Sequence, residues 1–172
     1  TNDTYHVTTG KDIDAYVLFL GDNMDVDDYT ADCENAYLSG ITFIRDGLTG
    51  RSNNTKYGLW MPKLNVSTID NVRLECPYIG IWGEDVWFNK IHAQILGLGV
   101  KQFYGVFIAK IRSGSYLMSG TSNDLMIGVT NYQIGHFYAG QQYTTMTSCT
   151  CDNCEPMTDL GETDAAAYQF IN

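Results

Sequence analysis

A short glycine-centred pattern recurs along the chain: "YGLW" at 57–60, "IGIW" at 79–82, "YGVF" at 104–107 and "IGHF" at 134–137. The closing aromatics, Trp60, Trp82, Phe107 and Phe137, are separated by 22, 25 and 30 residues, and Phe170 in "AYQFIN" extends the series. Spacing on this scale is an architectural signal, because each repeat buries its apolar face only by stacking on its neighbours. A second, weaker series alternates with the first: "ITF" (41–43), "VRL" (72–74), "AQI" (93–95) and "LMI" (125–127). Two short strands per turn, with irregular turns of about 20–35 residues, specify an all-β solenoid rather than a propeller or a helical repeat.

In a parallel solenoid, equivalent residues of successive turns stack about 4.8 Å apart in columns. Leu59, Ile81, Val106 and His136 form one column; Trp60, Trp82, Phe107 and Phe137 form the next, facing the opposite side. Which of the two points inward is open at this level. Gly58, Gly80, Gly105 and Gly135 mark the bend into the strand, where a Cβ would meet the neighbouring turn. Short segments such as "GITFI", "NVRLE", "YGVFI" and "DLMIGV" carry the β-branched and aromatic residues of strands. "DAAAY" (164–168) has helical composition, but its fit to the aromatic series argues for strand.

Residues 1–37 read as an entry strand, "AYVLFLGDN", and an acidic loop leading into the solenoid, whose rungs run from 38 to 172 as a fragment of a longer chain. In the acidic loop Asp22, Asp25, Asp27, Asp28 and Asp32 offer oxygen donors without the spacing of an EF-hand, so they read as a solvated surface. The formal charge of −10, from 10 basic and 20 acidic residues, disfavours a nucleic-acid partner, which needs clustered Lys and Arg, and none is expected. No apolar run reaches the roughly 18 residues of a membrane helix, so no membrane insertion is expected. No phosphate loop and no dinucleotide fingerprint is present, and no cofactor is expected. Five cysteines make a disulfide framework awkward. Cys149, Cys151 and Cys154 in "CTCDNC" lack a nearby fourth ligand for zinc, so buried thiols are the simpler reading, no metal site is assigned and their role stays open.

The punctuated turns from "YGLWMPKLNV" to "KQFYGVFIA" resemble the right-handed parallel β-helix of bacteriophage tailspikes and pectate-lyase-like polysaccharide enzymes. "YLSGITFI" (37–44) resembles the early rung in which such spikes introduce a strand. The resemblance spans Leu18 to Asn172 and lies in the rungs, not in a catalytic signature. It implies a homotrimer in the virion tail, made in the bacterial cytoplasm, that binds capsular polysaccharide or lipopolysaccharide and depolymerises it by glycosidic cleavage.

Such cleavage needs two carboxyl groups, about 5 Å apart for retention and wider for inversion. Glu84, Asp85 and Glu75 are the candidates nearest to aromatics, with Asp46 and Asp124 behind them; Trp82, Trp87 and Trp60 offer flat faces to sugar rings. Against this, Lys63, Asp85 and Lys110 fall in one predicted column and would make a charge ladder. An outward Glu75 is ordinarily solvated, and stacked Trp60, Trp82 and Phe107 also suit packing or a trimer contact. His6, His92 and His136 are isolated in sequence, and His136 in the apolar column reads as a satisfied buried residue. The alternatives to a depolymerase are a solenoid adhesin or structural rod, and a calcium-dependent lyase.

Overall fold

The computed structural model describes residues 15–19, 33–44, 57–75, 78–97, 102–112, 115–117, 120–154 and 168–171. The acidic stretch from Asp22 to Asp32, together with His6, Asp46 and Cys76, lies outside them, as does most of "DAAAY". The chain runs β1 (Ala15–Leu18), β2 (Cys33–Glu34), β3 (Tyr37–Ser39), β4 (Thr42–Phe43), β5 (Tyr57–Met61), β6 (Leu64–Asn65) and β7 (Thr68–Glu75). It continues through β8 (Ile79–Gly83), β9 (Val86–Trp87), β10 (Lys90–Leu96), β11 (Gln102–Ile108), β12 (Lys110–Arg112), β13 (Ser115–Leu117) and β14 (Gly120–Thr121). The last strands are β15 (Asp124–Thr130), β16 (Tyr132–Ala139), β17 (Gln141–Gln142), β18 (Thr145–Met146), β19 (Thr150–Asp152) and β20 (Tyr168–Ile171).

The described structure is all-β, and its three large sheets are parallel. Sheet I has the order β1-β5-β8-β11-β16-β20; sheet II has β2-β6-β9-β14-β17; sheet III carries β3 and β4 beside β7, then β10, β15 and the pair β18 and β19. Each passage of the chain therefore leaves a strand in sheet I, then II, then III before returning to sheet I, an order compatible with the expected solenoid. The sequence reading counted two strands per turn. Sheet II escaped it because its strands are two residues long, too short to show alternation.

Leu59, Ile81, Val106 and His136 stand in register, as expected, and they face inward. Leu59, Ile81 and Val106 form one core with Leu64 and Val86 from sheet II and Leu74, Ile91, Ile95 and Leu125 from sheet III, and His136 is buried in the same column. Trp60, Trp82, Phe107 and Phe137 are also in register and face the other way. Phe107 and Phe137 join Ile79, Tyr104 and Ile134 in a second apolar cluster, with Trp82 and Tyr57 packed on its margin.

The recurrent glycine now has a cause. A Cβ on Gly80 would lie 2.4 Å from the Gly105 carbonyl oxygen of the next turn and 2.4 Å from Ile95 Cγ2; one on Gly105 would lie 2.3 Å from Val129 Cγ1 and 2.6 Å from the Gly135 oxygen. Sheet I abuts sheet III at this point, and hydrogen is the largest substituent that fits.

Three register expectations need correction. Phe170 pairs with Tyr138, and Gln169 takes the place opposite Phe137, so the aromatic series slips by one residue at β20. Ile127 pairs with Ala93, and it is Val129 that continues the column of Phe43, Leu74 and Ile95. Lys110 leaves the predicted ladder with Lys63 and Asp85, because β12 turns back on β13 as an antiparallel hairpin instead of continuing into sheet II.

The corner from sheet II to sheet III is built the same way in every turn. One residue adopts a left-handed conformation: Asn35 (φ 57), Val66 (φ 47), Phe88 (φ 57), Ser122 (φ 53) and Tyr143 (φ 49). In the first four turns the residue that follows is buried: Ala36, Ser67, Asn89 and Asn123. Ser67 N–H donates to Asn89 Oδ1 and Asn89 N–H to Asn123 Oδ1, both at 3.0 Å. The amide nitrogens of Asn89 and Asn123 donate to the carbonyls of Leu64 (2.7 Å) and Val86 (2.8 Å) in the preceding turn. With Ala36 N–H donating to Ser67 Oγ at 2.9 Å, this buried polar column stitches four turns together.

Candidate functional site

The corner that buries these polar residues throws their left-handed neighbours outward. Val66 is 56% exposed, Phe88 57% and Tyr143 86%. A bulky residue at positive φ is strained by roughly 1 kcal/mol or more. Beside Val66 and Phe88, on the outer face of sheet II, lies a groove of ≈ 440 Å³ whose further walls are Glu34, Lys63, Asn65, Asp85 and Trp87. Glu34, Asn65 and Trp87 are one outward column from three successive turns, which sets their backbones about 4.8 Å apart in steps. Asp85 enters from the end of sheet I in a left-handed conformation (φ 50), which Asp tolerates better than most residues.

Of the predicted residues, then, the structure brings Asp85 and Trp87 together. The other four lie elsewhere. Trp60 and Trp82 sit on the outer face of sheet I, where Trp82 stacks on Phe107 with centroids 4.2 Å apart and Tyr57 packs against both tryptophans. Glu84 Oε1 accepts a hydrogen bond from the Trp82 indole at 3.0 Å. Glu75 closes β7 on sheet III and is ion-paired to Arg73 at 2.8 Å. Glu75 ends β7 on sheet III and Glu84 follows β8 on sheet I, so the two candidates stand on different sheets. Glu34, Asn65, Val66 and Phe88 were missed. Their signal was the two-residue strand that the sequence concealed.

His136 is wholly buried. Its Nε2 lies 3.1 Å from the Thr150 carbonyl, which only accepts, so that nitrogen carries the hydrogen; Nδ1 faces the Tyr138 hydroxyl at 3.0 Å. Burial lowers its pKa to about 4, against the opposing effect of the Thr150 bond. The expected satisfied core histidine is what the structure contains. Because the folded value lies below the ordinary ~6.5, the unfolded chain binds the extra proton first. This contribution is complete above about pH 6.5 and is lost as pH falls towards 4, by about 3 kcal/mol. Urea midpoints at pH 7 and pH 4 should therefore diverge more for the native chain than for His136→Gln. Equal losses would contradict the assignment.

Cys149, Cys151 and Cys154 pack against the end of the core. Burial, with Asp124 nearby, pushes the Cys149 thiol up, and the thiol donates to the Leu125 carbonyl at 3.4 Å. Among the described residues no three His, Cys, Asp or Glu side chains are grouped to hold a metal.

Sheet III carries a further cluster that sequence distance hid. The register of β7 against β10 shifts between Ile91 and Ala93, and Asn71 is left-handed there (φ 52). Beside this irregularity Asp70 Oδ1 lies 3.2 Å from His92 Nδ1 and 3.3 Å from Lys90 Nζ, while Asp124 Oδ2 lies 3.7 Å from His92 Nε2.

Comparison with protein-family models, with curated proteins and with solved structures gives no match. The class that fold and groove define is an all-β, parallel-sheet protein with an aromatic and acidic surface groove on its second sheet.

Proposed function

We propose that the chain is a segment of a right-handed parallel β-helix of the tailspike kind, which binds a bacterial surface polysaccharide in the groove of sheet II and cleaves it. The right hand follows from the strong bias of parallel crossovers, about 98%. The observation that carries the reading is the convergence of Trp87 and Phe88 with Glu34, Asp85 and Lys63 on one outer face. Aromatic faces stack on sugar rings, and the charged groups address hydroxyls. Glu34 and Trp87 stand on strands β2 and β9, and Lys63, Asp85 and Phe88 on the residues that adjoin strands.

In the cleaving form Asp85 acts as general base on water and Glu34 as the general acid. Glu34 belongs to the turn two below that of Trp87, so its backbone is roughly 10 Å or more from that of Asp85, which favours the wider, inverting arrangement. Glu75 and Glu84 are engaged by Arg73 and Trp82 and recede as catalysts. The same engagement favours a second reading, a solenoid that binds without cleaving. A homotrimer in the phage virion remains part of the proposal on the sequence resemblance.

The test is incubation of purified chain with a panel of capsular and lipopolysaccharide preparations, read by size exclusion and by new reducing ends. The expected result is shortening of one polymer, with turnover falling about 10²–10⁴-fold in Asp85→Asn while binding persists. Binding without shortening would move the account to the second reading. Absence of both would refute it.

A further inference from the structure

On the outer face of sheet III, away from the groove, His92 stands between two carboxylates. Asp70 is at hydrogen-bonding distance from Nδ1 and is also paired to Lys90. Nδ1 therefore carries the hydrogen, because it faces an acceptor. In the neutral imidazole that leaves a lone pair on Nε2. The Nε2 atom is buried and has no hydrogen-bond partner, and the nearest charged oxygen, Asp124 Oδ2 at 3.7 Å, is also electron-rich and too far for a hydrogen bond. Two acceptors facing each other across this gap repel unless a cation lies between them.

The separation suits a metal ion. Ligands each about 2.0–2.2 Å from one ion stand roughly 3–4 Å apart at the usual angles. A carboxylate on the far ring nitrogen is the common support of a metal-bound histidine, fixing its tautomer and raising its basicity. We propose that His92 Nε2 and Asp124 Oδ2 bind a divalent transition-metal ion, with Asp70 as the orienting group behind the imidazole and water completing the coordination. Imidazole with carboxylate selects zinc, cobalt or nickel over calcium and magnesium, which take oxygen. Arg73 and Glu75 on β7 neutralise each other, so the local field is set by Asp70, Asp124 and Lys90. Asp124 is half exposed, and this gives the ion a path from solvent. The proposal is independent of polysaccharide binding.

The experiment is titration of the purified chain with cobalt(II) chloride, read by visible absorption and by thermal unfolding. The expected result is saturable ligand-field absorption without thiolate charge-transfer bands, together with a raised Tm. Asp124→Asn and His92→Gln remove both signals, and Asp70→Asn weakens binding by about 10–100-fold. Asp124→Asn changes a partly exposed side chain and so guards against a misfolded His92 variant. Cobalt binding unaltered in Asp124→Asn would overturn the proposal, as would thiolate bands that place the ion on the cysteines. So would the absence of any cobalt response in the native chain.

Discussion

Gly80→Ala is expected to lower stability by at least about 3 kcal/mol, near the upper end for overpacking. Side-chain clashes are often relieved by rotation, but here one of the two closest atoms is the Gly105 backbone oxygen at 2.4 Å. That oxygen belongs to the sheet I ladder, so relief requires β8 and β11 to separate or the pairing to break. Ile95, the other near neighbour, is itself fully buried. Gly128→Ala is the control: its Cβ would meet only Thr150 Oγ1 at 3.2 Å, and its expected effect is below about 1 kcal/mol. Denaturant unfolding of the two variants checks the contrast. Similar losses would mean that the glycines serve flexibility, not the approach of neighbouring turns.

Asn89→Ala is the second large effect. The substitution removes the acceptor of the Ser67 N–H and the donor to the Leu64 carbonyl, leaving two backbone groups without these partners in a site that is itself buried. Each such loss costs about 1–3 kcal/mol, and about 3 kcal/mol in total is expected. Hydrogen exchange should show faster opening at Ser67 and Lys90 than along β8 and β11 of sheet I. A loss below about 1 kcal/mol would show that water replaces the asparagine and that the column does not hold the turns together.

These two residues also mark what the sequence discloses. Gly80 and its equivalents were legible because a steric requirement admits one residue type, and the aromatic that follows makes the spacing visible. The alternation of Leu59 against Trp60 was legible too, though not which side was the core: both faces of sheet I carry apolar clusters. The polar column left a fainter trace. Ser67, Asn89 and Asn123 each stand just before an alternating strand, in "STID", "NKIH" and "NDLM". Asp70, His92 and Asp124 left none, since they meet only through the stacking of β7, β10 and β15. The groove was half legible. Asp85 and Trp87 stood out beside one another, whereas Glu34 and Asn65 reach them through the register of sheet II.

The most direct test of the account is the binding of polysaccharide fragments to the native chain and to Trp87→Ala, followed by calorimetry, with unfolding measured in parallel to establish that the variant folds. Trp87 is half-buried in the groove, so folding should be nearly unchanged, and affinity for the recognised glycan should fall by at least about tenfold, as loss of an aromatic anchor does. Equal binding by both chains, or loss of binding in Trp82→Ala but not in Trp87→Ala, would contradict it and move recognition to the aromatic face of sheet I.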